Sequence, residues 1–586
     1  MTAQDSSAAS ARETTRANQS FNLQQKVIRW SRNDYLTVER VCQHVLMVAE
    51  TGASKSTAMI DLAARSVFEA GFGAFVHTAK ITAAEQMMRL AEASGVKRII
   101  YWGPGSDERF VWPDYEYHDF GDGKGRVDNL MAVFKTLIEV YMRSSGQKES
   151  EPFWEFMNEQ GMTNLFFIDG EANNGIDLSR MLEYWQSIPR DFDDLSEPEK
   201  SASLTALMEA EVRCPPEKRR SLQLARNWLV KQMPALHERT KACVQAMAIG
   251  MLDPHARDIM QEAMGGTSTW TPDDICDGAE QTVVVCGYDV KRFGSLGKLI
   301  QVAAAKSVER KIERRLNEFK GNMDACRPVA LIADESQFFM HSGQLDFLRT
   351  AREARGAAIW SIQSLPSVIH ELGGGAVAEN EARATFGMFQ TKIYGFIACD
   401  VTSEQCARWI GQDMQQRPGG STGVDERGRV NRGTSWSEQP YYIVPPIAFQ
   451  RLPRGGEAEK WNVRPIVTMA GYPWKCNDGK YWAKIKLFQN VEKAKILWLR
   501  WPWAPIWMWL DKVPSARCWS LHVGLFEAKL WHREYHRTIE EEWRKKPVTS
   551  EWVFARVCGR MWRRVFKRWW AFWIDDRETL LGGRHE

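Results

Sequence analysis

The chain has 586 residues, enough for several domains or for one large domain with an insertion. Hydrophobic residues make up 44% and charged residues 26%, which excludes a disordered, collagenous or disulfide-stapled protein. The formal net charge is only +3, but residues 481–586 carry 21 Lys and Arg against 12 Asp and Glu, and they hold 14 of the 26 Trp. The sequence therefore joins a near-neutral body to a basic, tryptophan-rich end.

Signals for export or membrane insertion are not visible in the sequence. The first twenty residues are polar and contain no apolar core of a signal peptide. The most apolar stretch, residues 496–510, is short and is interrupted by Arg500, Pro502 and Pro505. Eleven cysteines without a C-x-x-C pair predict reduced thiols. We therefore expect a cytoplasmic protein without a transmembrane helix, beginning with a flexible arm over residues 1–36.

Strands and helices are predicted to alternate over residues 37–124. The predicted elements are a strand over Val41–Val48, a helix over Lys55–Ala70, a strand over Gly73–His77, a helix over Ala83–Ser94 and a strand over Lys97–Trp102. Such alternation is typical of a mainly parallel sheet covered by helices on both faces. Residues 37–124 are therefore interpreted as the first part of an α/β domain.

Residues 125–270 have a different pattern, in which apolar residues recur three and four positions apart. This spacing predicts an all-α insertion. The α/β alternation returns over residues 271–480. Its predicted elements are strands at Gln281–Tyr288, Val329–Ala333, Ala357–Ile362, Thr391–Phe396 and Arg464–Ala470, with helices at Gly297–Phe319 and Leu345–Ala354.

The loop after the first strand of this α/β region contains the residue types of a phosphate-binding loop. Lys55 would contact phosphates and Ser56 would hold Mg²⁺, at the start of a helix whose dipole favours anions. Ala49 and Ser54, however, occupy positions where such loops usually have glycine. A working phosphate-binding loop and a chance strand–turn–helix both remain open at this point. The candidate nucleotide-binding residues are Thr51, Gly52, Ala53, Ser54, Lys55, Ser56 and Thr57.

The predicted strand Val329–Ala333 ends in two adjacent carboxylates. Asp334 could hold Mg²⁺ through water, and Glu335 could orient and deprotonate the water that attacks a γ-phosphate. Asn164–Glu171 also reads as an apolar run followed by acids, but its surroundings are helical, so we do not interpret it as a second site. The carboxylate pair favours the phosphate-binding interpretation of the loop.

The predicted strand Ala357–Ile362 is followed by an amide side chain, Gln363. In RecA-like motors, a residue at this place can sense the γ-phosphate. The order of the loop, the Asp-Glu strand and the Gln strand favours this role over a purely structural one.

The sequence at this point resembles the type IV secretion coupling ATPases of the TraD/TraG/TrwB group, which are related to the FtsK and HerA translocases. The resemblance covers about residues 40–470. It rests on TGASKS at 51–56, HTAK at 77–80, GPGSDERFVWPDYE at 103–116, LIADESQFF at 331–339, AREARGAAIWSIQSLPSV at 351–368, TKIYG at 391–395 and CDVTSEQCARWIG at 399–411.

This resemblance implies a RecA-like P-loop ATPase that assembles as a hexameric ring, uses ATP and Mg²⁺, and delivers DNA, a relaxase-type nucleoprotein or protein to a type IV secretion channel. It assigns phosphate and Mg²⁺ binding to Lys55 and Ser56, and Mg²⁺ binding to Asp334. It assigns water activation to Glu335 and γ-phosphate sensing to Gln363. Arg352 or Arg355 would serve a neighbouring subunit as an arginine finger. A degenerate nucleotide-binding adaptor with little hydrolysis is the alternative that Ala49 and Ser54 favour.

Residues 481–586 are interpreted as a separate basic, helical, Trp-rich appendix. Three interpretations are open: a small helical domain with Trp in its core, docking to a membrane or partner, and binding of single-stranded nucleic acid. Because the family's usual N-terminal transmembrane pair is absent, we expect this region to provide peripheral contact with the bacterial inner membrane.

Overall fold

The computed structural model describes residues 20–489, except 119–125, 145–151, 320–321, 342, 425–427, 429 and 460. The strands are, in chain order, β1 (Lys26–Arg29), β2 (Tyr35–Thr37), β3 (Val45–Val48), β4 (Gly73–His77), β5 (Arg98–Trp102), β6 (Thr282–Cys286), β7 (Val329–Ala333), β8 (Gly356–Ile362), β9 (Thr391–Tyr394), β10 (Gln412–Val424), β11 (Val430–Tyr442), β12 (Asn462–Val463), β13 (Ile466–Met469), β14 (Trp482–Lys484) and β15 (Leu487–Phe488).

The helices cover both faces of the sheet and form a separate group between β5 and β6. They are α1 (Val38–Val41), α2 (Asp61–Glu69), α3 (Ile81–Ala93), α4 (Trp112–His118), α5 (Val127–Ser144), α6 (Pro152–Asn173), α7 (Leu178–Gln186), α8 (Ala202–Arg213), α9 (Arg219–Asn227), α10 (Met233–Ala235), α11 (Glu238–Leu252), α12 (Asp258–Met264), α13 (Pro272–Cys276), α14 (Val290–Glu318), α15 (Gln344–Thr350), α16 (Leu365–Glu371), α17 (Gly375–Gly387), α18 (Asp400–Ile410) and α19 (Pro446–Gln450).

A nine-stranded sheet organises the chain, in the order β14-β13-β9-β3-β8-β7-β4-β6-β5. The seven strands from β9 to β5 are parallel, whereas β13 pairs antiparallel with β9 and with β14. Its central strands are fully buried and, apart from Ser361 in β8, they carry no polar side chain, as expected for parallel strands covered on both faces. The predicted α/β fold with a mainly parallel sheet is therefore confirmed.

Helices fill the described part of the chain between β5 and β6, where we predicted an all-α insertion. The strand-like run Asn164–Glu171 lies inside α6. Its Asp169 is buried and pairs with Arg180 at 2.9 Å between Arg180 Nε and Asp169 Oδ1. This carboxylate therefore serves the packing of α6 against α7. No helix among the described residues combines the length and apolarity needed to cross a bilayer.

The prediction of a flexible arm over residues 1–36 is wrong for its second half. Strands β1 and β2 form an antiparallel hairpin, and Ile28 and Leu36 are completely buried in the main hydrophobic core. The apolar side chains of this segment supply enough burial to order it, which the polar composition of the preceding residues concealed. Residues 1–19 lie outside the described part of the chain.

Two further predictions need correction at their boundaries. The first core strand is shorter than the predicted Val41–Val48. Val41 belongs to the helical turn α1, which Thr37 caps, and the strand begins only at Val45. The sheet also continues past residue 480, since β14 pairs with β13 and β15 pairs with β12. Residues 481–489 therefore belong to the body, and the appendix predicted from residue 481 lies outside the described residues from 490 onward.

Candidate nucleotide-binding site

The loop Ala49–Ser54 follows β3, which lies between β9 and β8 near the middle of the sheet. Residues Lys55–Ile60 continue it as a widened helical turn that leads into α2. The carboxyl ends of β7 and β8 lie beside it at the same edge of the sheet, because the three strands are parallel. Chain topology therefore brings the loop, Asp334, Glu335 and Gln363 to one place.

The two positions that depart from the usual glycines are accommodated in different ways. Ala49 packs against Gly395, where a Cβ atom would lie only 2.7 Å from the Ala49 methyl. Ser54 adopts the left-handed conformation, with φ +59°, that glycine takes more easily. Its hydroxyl donates a hydrogen bond of 2.6 Å to the Arg454 carbonyl. The loop therefore has local support at both substituted positions.

Lys55 is the buried cation of this site. Its side chain is only 5% exposed, and its Nζ lies 3.9 Å from Asp334 Oδ1. Within the described part of the chain, neither Lys55 Nζ nor the buried hydroxyl of Thr57 has a hydrogen-bond partner. Buried polar groups are normally satisfied, so both groups fit a site that receives an additional acceptor such as a phosphate oxygen.

Asp334 connects the phosphate-binding loop to the neighbouring strand. The Ser56 hydroxyl donates to Asp334 Oδ2, and the Ser361 hydroxyl donates to Asp334 Oδ1 at 2.6 Å. Ser56 and Asp334 thus place a hydroxyl and a carboxylate side by side, as a Mg²⁺ site requires. Sequence reasoning missed Ser361, because an isolated serine inside an apolar strand has no recognisable pattern.

Glu335 has an unusual backbone conformation and three polar neighbours. Its backbone is left-handed, with φ +67° and ψ +51°, a conformation that few non-glycine residues adopt. Its Oε2 accepts hydrogen bonds from the amide groups of Gln363 and, at 3.0 Å, Gln337. Lys80 Nζ lies 3.9 Å from its Oε1. The carboxylate is therefore oriented from two sides.

Lys80 and Gln337 were not among the predicted site residues. Both lie in motifs that carried the family resemblance, HTAK at 77–80 and LIADESQFF at 331–339. These motifs could have indicated that Lys80 and Gln337 belong to the site. That Lys80 lies beside Glu335, however, follows only from the pairing of β4 with β7.

Two further groups near the site have shifted pKa values. Burial raises the pKa of Asp61 to about 6, with a smaller contribution from the negative charge of Asp334. Asp61 accepts a hydrogen bond of 2.6 Å from Gln86. Burial lowers the pKa of His77 to about 3, and its ring stacks on Phe339 at 4.5 Å between centroids. His77 is therefore neutral at physiological pH and packs beneath the Asp-Glu turn.

The two predicted finger arginines lie at the opposite edge of the sheet, before β8. Arg355 is 3% exposed and donates to the carbonyls of Phe21 and Cys326 and to Asp324 of its own chain. It does not fit the role of an arginine finger, because its guanidinium is already bound internally. Arg352 is 56% exposed and pairs with Glu39 at 3.1 Å. Of these two arginines, Arg352 is the one whose side chain is exposed at the surface.

No protein-family model and no curated protein sequence matches the chain. Several solved structures, in contrast, match the chain over most of its length. The unbound form of the bacterial conjugative coupling protein TrwB is 14% identical and superimposes with a TM-score of 0.51, over 82% of this chain and 93% of that one. The chain shares the fold of TrwB. Comparable matches are TrwB with ADP and Mg²⁺, at 14% identity and TM-score 0.51, and TrwB with the GTP analogue GDPNP, at 13% and 0.50, each over the same shares of both chains.

The TrwB match confirms the predicted resemblance at the level of fold. The mainly parallel nine-stranded sheet of this chain fits the predicted RecA-like fold class. At this sequence identity, activity and substrate have to be argued from the residues themselves.

Proposed function

We propose that the chain is an ATP-driven motor of the coupling-protein type, which delivers DNA, a nucleoprotein or a protein substrate to a type IV secretion channel. The observation that carries this proposal is the convergence of Lys55, Ser56, Asp334, Glu335 and Gln363 at one sheet edge. Each is contributed by the strand end or helix start that a P-loop ATPase requires.

The residues fit Mg²⁺ and ATP in the following way. Lys55 would bind the β- and γ-phosphates, and the main-chain N–H groups from Thr51 to Thr57 would surround them. Ser56 and Asp334 would hold Mg²⁺, which supplies charge neutralisation at the phosphates when bound. TrwB itself has been solved with ADP and Mg²⁺.

Hydrolysis would use Glu335 as the base. Glu335 takes a proton from a water molecule whose oxygen attacks the γ-phosphate, and the bond to ADP breaks. Gln363 and Gln337 hold the carboxylate in place through its Oε2. Gln363 contacts Glu335 and is followed by Ser364, the N-cap of α16, so loss of the γ-phosphate can be transmitted to that helix.

Assembly and location form the less direct part of the proposal. A hexameric ring would let Arg352 of one subunit approach the site of the next. The basic, Trp-rich region from residue 490 would contact the inner membrane or a component of the secretion machinery from the cytoplasmic side.

The decisive experiment measures ATP hydrolysis by the full-length protein, with and without DNA, for wild type, Lys55→Ala and Glu335→Gln. Glu404→Gln is a matched control, because Glu404 is exposed and its partner among the described residues is Arg408 on the same helix. We expect DNA-stimulated turnover in wild type and control. Lys55→Ala should bind nucleotide weakly, and Glu335→Gln should bind it but turn over at least about 100-fold more slowly.

The alternative is an adaptor that binds nucleotide without hydrolysing it, which Ala49 and Ser54 favour. It predicts nucleotide binding that depends on Lys55 and no turnover under any condition. Absence of both binding and turnover in the wild type would refute both functions.

A further inference from the structure

Ser54 belongs to a chain of contacts that runs through Arg454 and Gly456 to Gln489, which directly follows β15. Its hydroxyl donates to the carbonyl of Arg454, which lies 400 residues away in sequence. The next residues of that loop, Gly455 and Gly456, are fixed by Gln489, because the Gly456 N–H donates to Gln489 Oε1 at 2.6 Å. The P-loop therefore contacts the C-terminal part of the body through one loop.

Gln489 is itself held in place by the small sheet that precedes it. Its main-chain N–H donates to the Trp461 carbonyl at 2.7 Å, and β15 just before it pairs with β12. The side chain can therefore hold the 454–456 loop from a fixed position.

The fit between these segments is close enough to require glycine at residue 455. Gly455 has φ +86°, and a Cβ atom there would collide with Ser54 Oγ and Gln489 Oε1. Three segments of the chain, at residues 54, 455 and 489, thus meet at one point. In addition, the Arg454 guanidinium lies 3.7 Å from the centroid of the Phe396 ring, and the Phe396 carbonyl accepts the Glu50 N–H.

We propose that Gln489 is a positioning residue for the phosphate-binding loop, acting through the Arg454 carbonyl on Ser54. This proposal rests on the nucleotide-binding function proposed above. Serine disfavours the left-handed conformation that this position of the loop requires, so an external hydrogen bond is needed to hold it. Glycine takes that conformation without help.

This positioning joins the nucleotide site to the small sheet formed by β12 and β15, because Gln489 directly follows β15. Any force or binding event that displaces Gln489 would alter the loop around Ser54.

The test uses full-length wild type, Gln489→Ala, Ser54→Gly, the double variant and Gln450→Ala. Gln450 is the matched control, because it is exposed and its side chain, in the part of the chain that the structure describes, donates to the Ala398 carbonyl and not to the 454–456 loop. Two quantities are measured: the Kd for a fluorescent ADP analogue with Mg²⁺, and amide hydrogen exchange of peptides covering residues 49–58 without nucleotide.

We expect Gln489→Ala to raise the Kd about five- to tenfold, the effect of losing about one hydrogen bond, and to speed exchange over residues 49–58. Ser54→Gly should stay within about twofold of wild type. The double variant should match Ser54→Gly, because glycine no longer needs the support of Gln489. Gln450→Ala should be unchanged in both measurements.

The inference is overturned if Gln489→Ala leaves exchange over residues 49–58 unchanged, or if its effect persists in full in the Ser54→Gly background. Failure of the proposed function gives a different result, since a wild type that binds no nucleotide still reports loop positioning by hydrogen exchange. Urea unfolding of each variant separates a local effect on the loop from general loss of stability.

Discussion

The methyl group of Ala49, the first residue of the phosphate-binding loop, packs against Gly395, which directly follows β9. The space between them leaves no room for a side chain on residue 395. A Cβ atom on Gly395 would lie 2.7 Å from both Ala49 Cβ and Met59 Cε. Alanine rather than glycine at residue 49 is thus matched by a glycine directly after the neighbouring strand β9.

Gly395→Ala is therefore expected to destabilise the protein by about 1–3 kcal/mol and to weaken nucleotide binding, because the added methyl displaces the loop. Ala49→Gly in the same chain should restore part of both losses. Urea unfolding and nucleotide titration measure the two effects. Gly387→Ala is the control, since a Cβ there meets nothing within 4 Å. Equal behaviour of the two alanine variants would contradict the packing argument.

Gln363→Ala should separate binding from turnover. Gln363 contacts Glu335 and not the phosphate-binding loop, so nucleotide Kd should stay within about twofold while kcat falls about 10- to 100-fold. Gln337 still holds Glu335 in the variant, which is why some activity should remain. Gln390→Ala serves as the control, because the side chain of Gln390 is exposed and its hydrogen-bond partner among the described residues is the nearby Met388 carbonyl. A large loss of affinity in Gln363→Ala would place Gln363 in the binding site instead.

The arginine finger can be tested by mixing two inactive proteins. Arg352→Ala retains its own P-loop, and Lys55→Ala retains an exposed Arg352. If Arg352 acts between subunits of a ring, each variant alone is inactive. In an equal mixture, an active interface needs an Arg352→Ala subunit, which has an intact Lys55, next to a Lys55→Ala subunit, which has an intact Arg352. Turnover should therefore return at roughly a quarter of the interfaces. Analytical ultracentrifugation of the same samples reports whether a ring forms. No recovery in a mixture that does assemble would exclude Arg352.

Two truncations test the boundary of the body. A chain ending at residue 489 should unfold at the same urea concentration as the full chain, because β14, β15 and Gln489 are all retained. A chain ending at residue 480 should be less stable, since it loses the edge strand β14 and exposes β13.

Flotation with anionic vesicles tests whether the C-terminal region contacts a membrane. We expect binding by the full chain and none by residues 1–489, and equal flotation of both would refute the docking role of the C-terminal region.

The pH dependence of stability should contain a contribution from His44. Its Nε2 faces the Leu348 carbonyl at 2.9 Å, and its Nδ1 accepts the Ala358 N–H at 3.0 Å. Both contacts are satisfied by one neutral tautomer. Burial lowers the pKa of His44 from 6.5 to about 4. The unfolded chain therefore takes up a proton between these values while the folded protein does not, and the free energy of unfolding falls as the pH drops through this window.

We expect the stability difference between wild type and His44→Gln to be largest near pH 7.5. It should shrink by about 3 kcal/mol on approach to pH 4. Urea unfolding across this range measures the difference, with the exposed His370→Gln as the control. Parallel stability curves for wild type and His44→Gln would show that His44 is not responsible.

The sequence alone determined the features that depend on local spacing. The apolar runs of β4, β7 and β8 and the polar residues at their ends were recognisable because strand identity depends on neighbouring residues. The parallel arrangement then follows from the alternation with helices. For the same reason, Lys55, Asp334, Glu335 and Gln363 could be nominated from their positions next to strands.

The tertiary structure decided every feature that depends on residues far apart in the chain. It placed Lys80 next to Glu335 and packed Ala49 against Gly395. It also paired Arg355 with Asp324 of its own chain and brought the Arg454 carbonyl within hydrogen-bond distance of the Ser54 hydroxyl. None of these contacts has a local pattern, because each is created by packing of segments that the fold alone makes adjacent. Burial of Ile28 and Leu36 likewise ordered a segment whose preceding residues indicated a flexible arm.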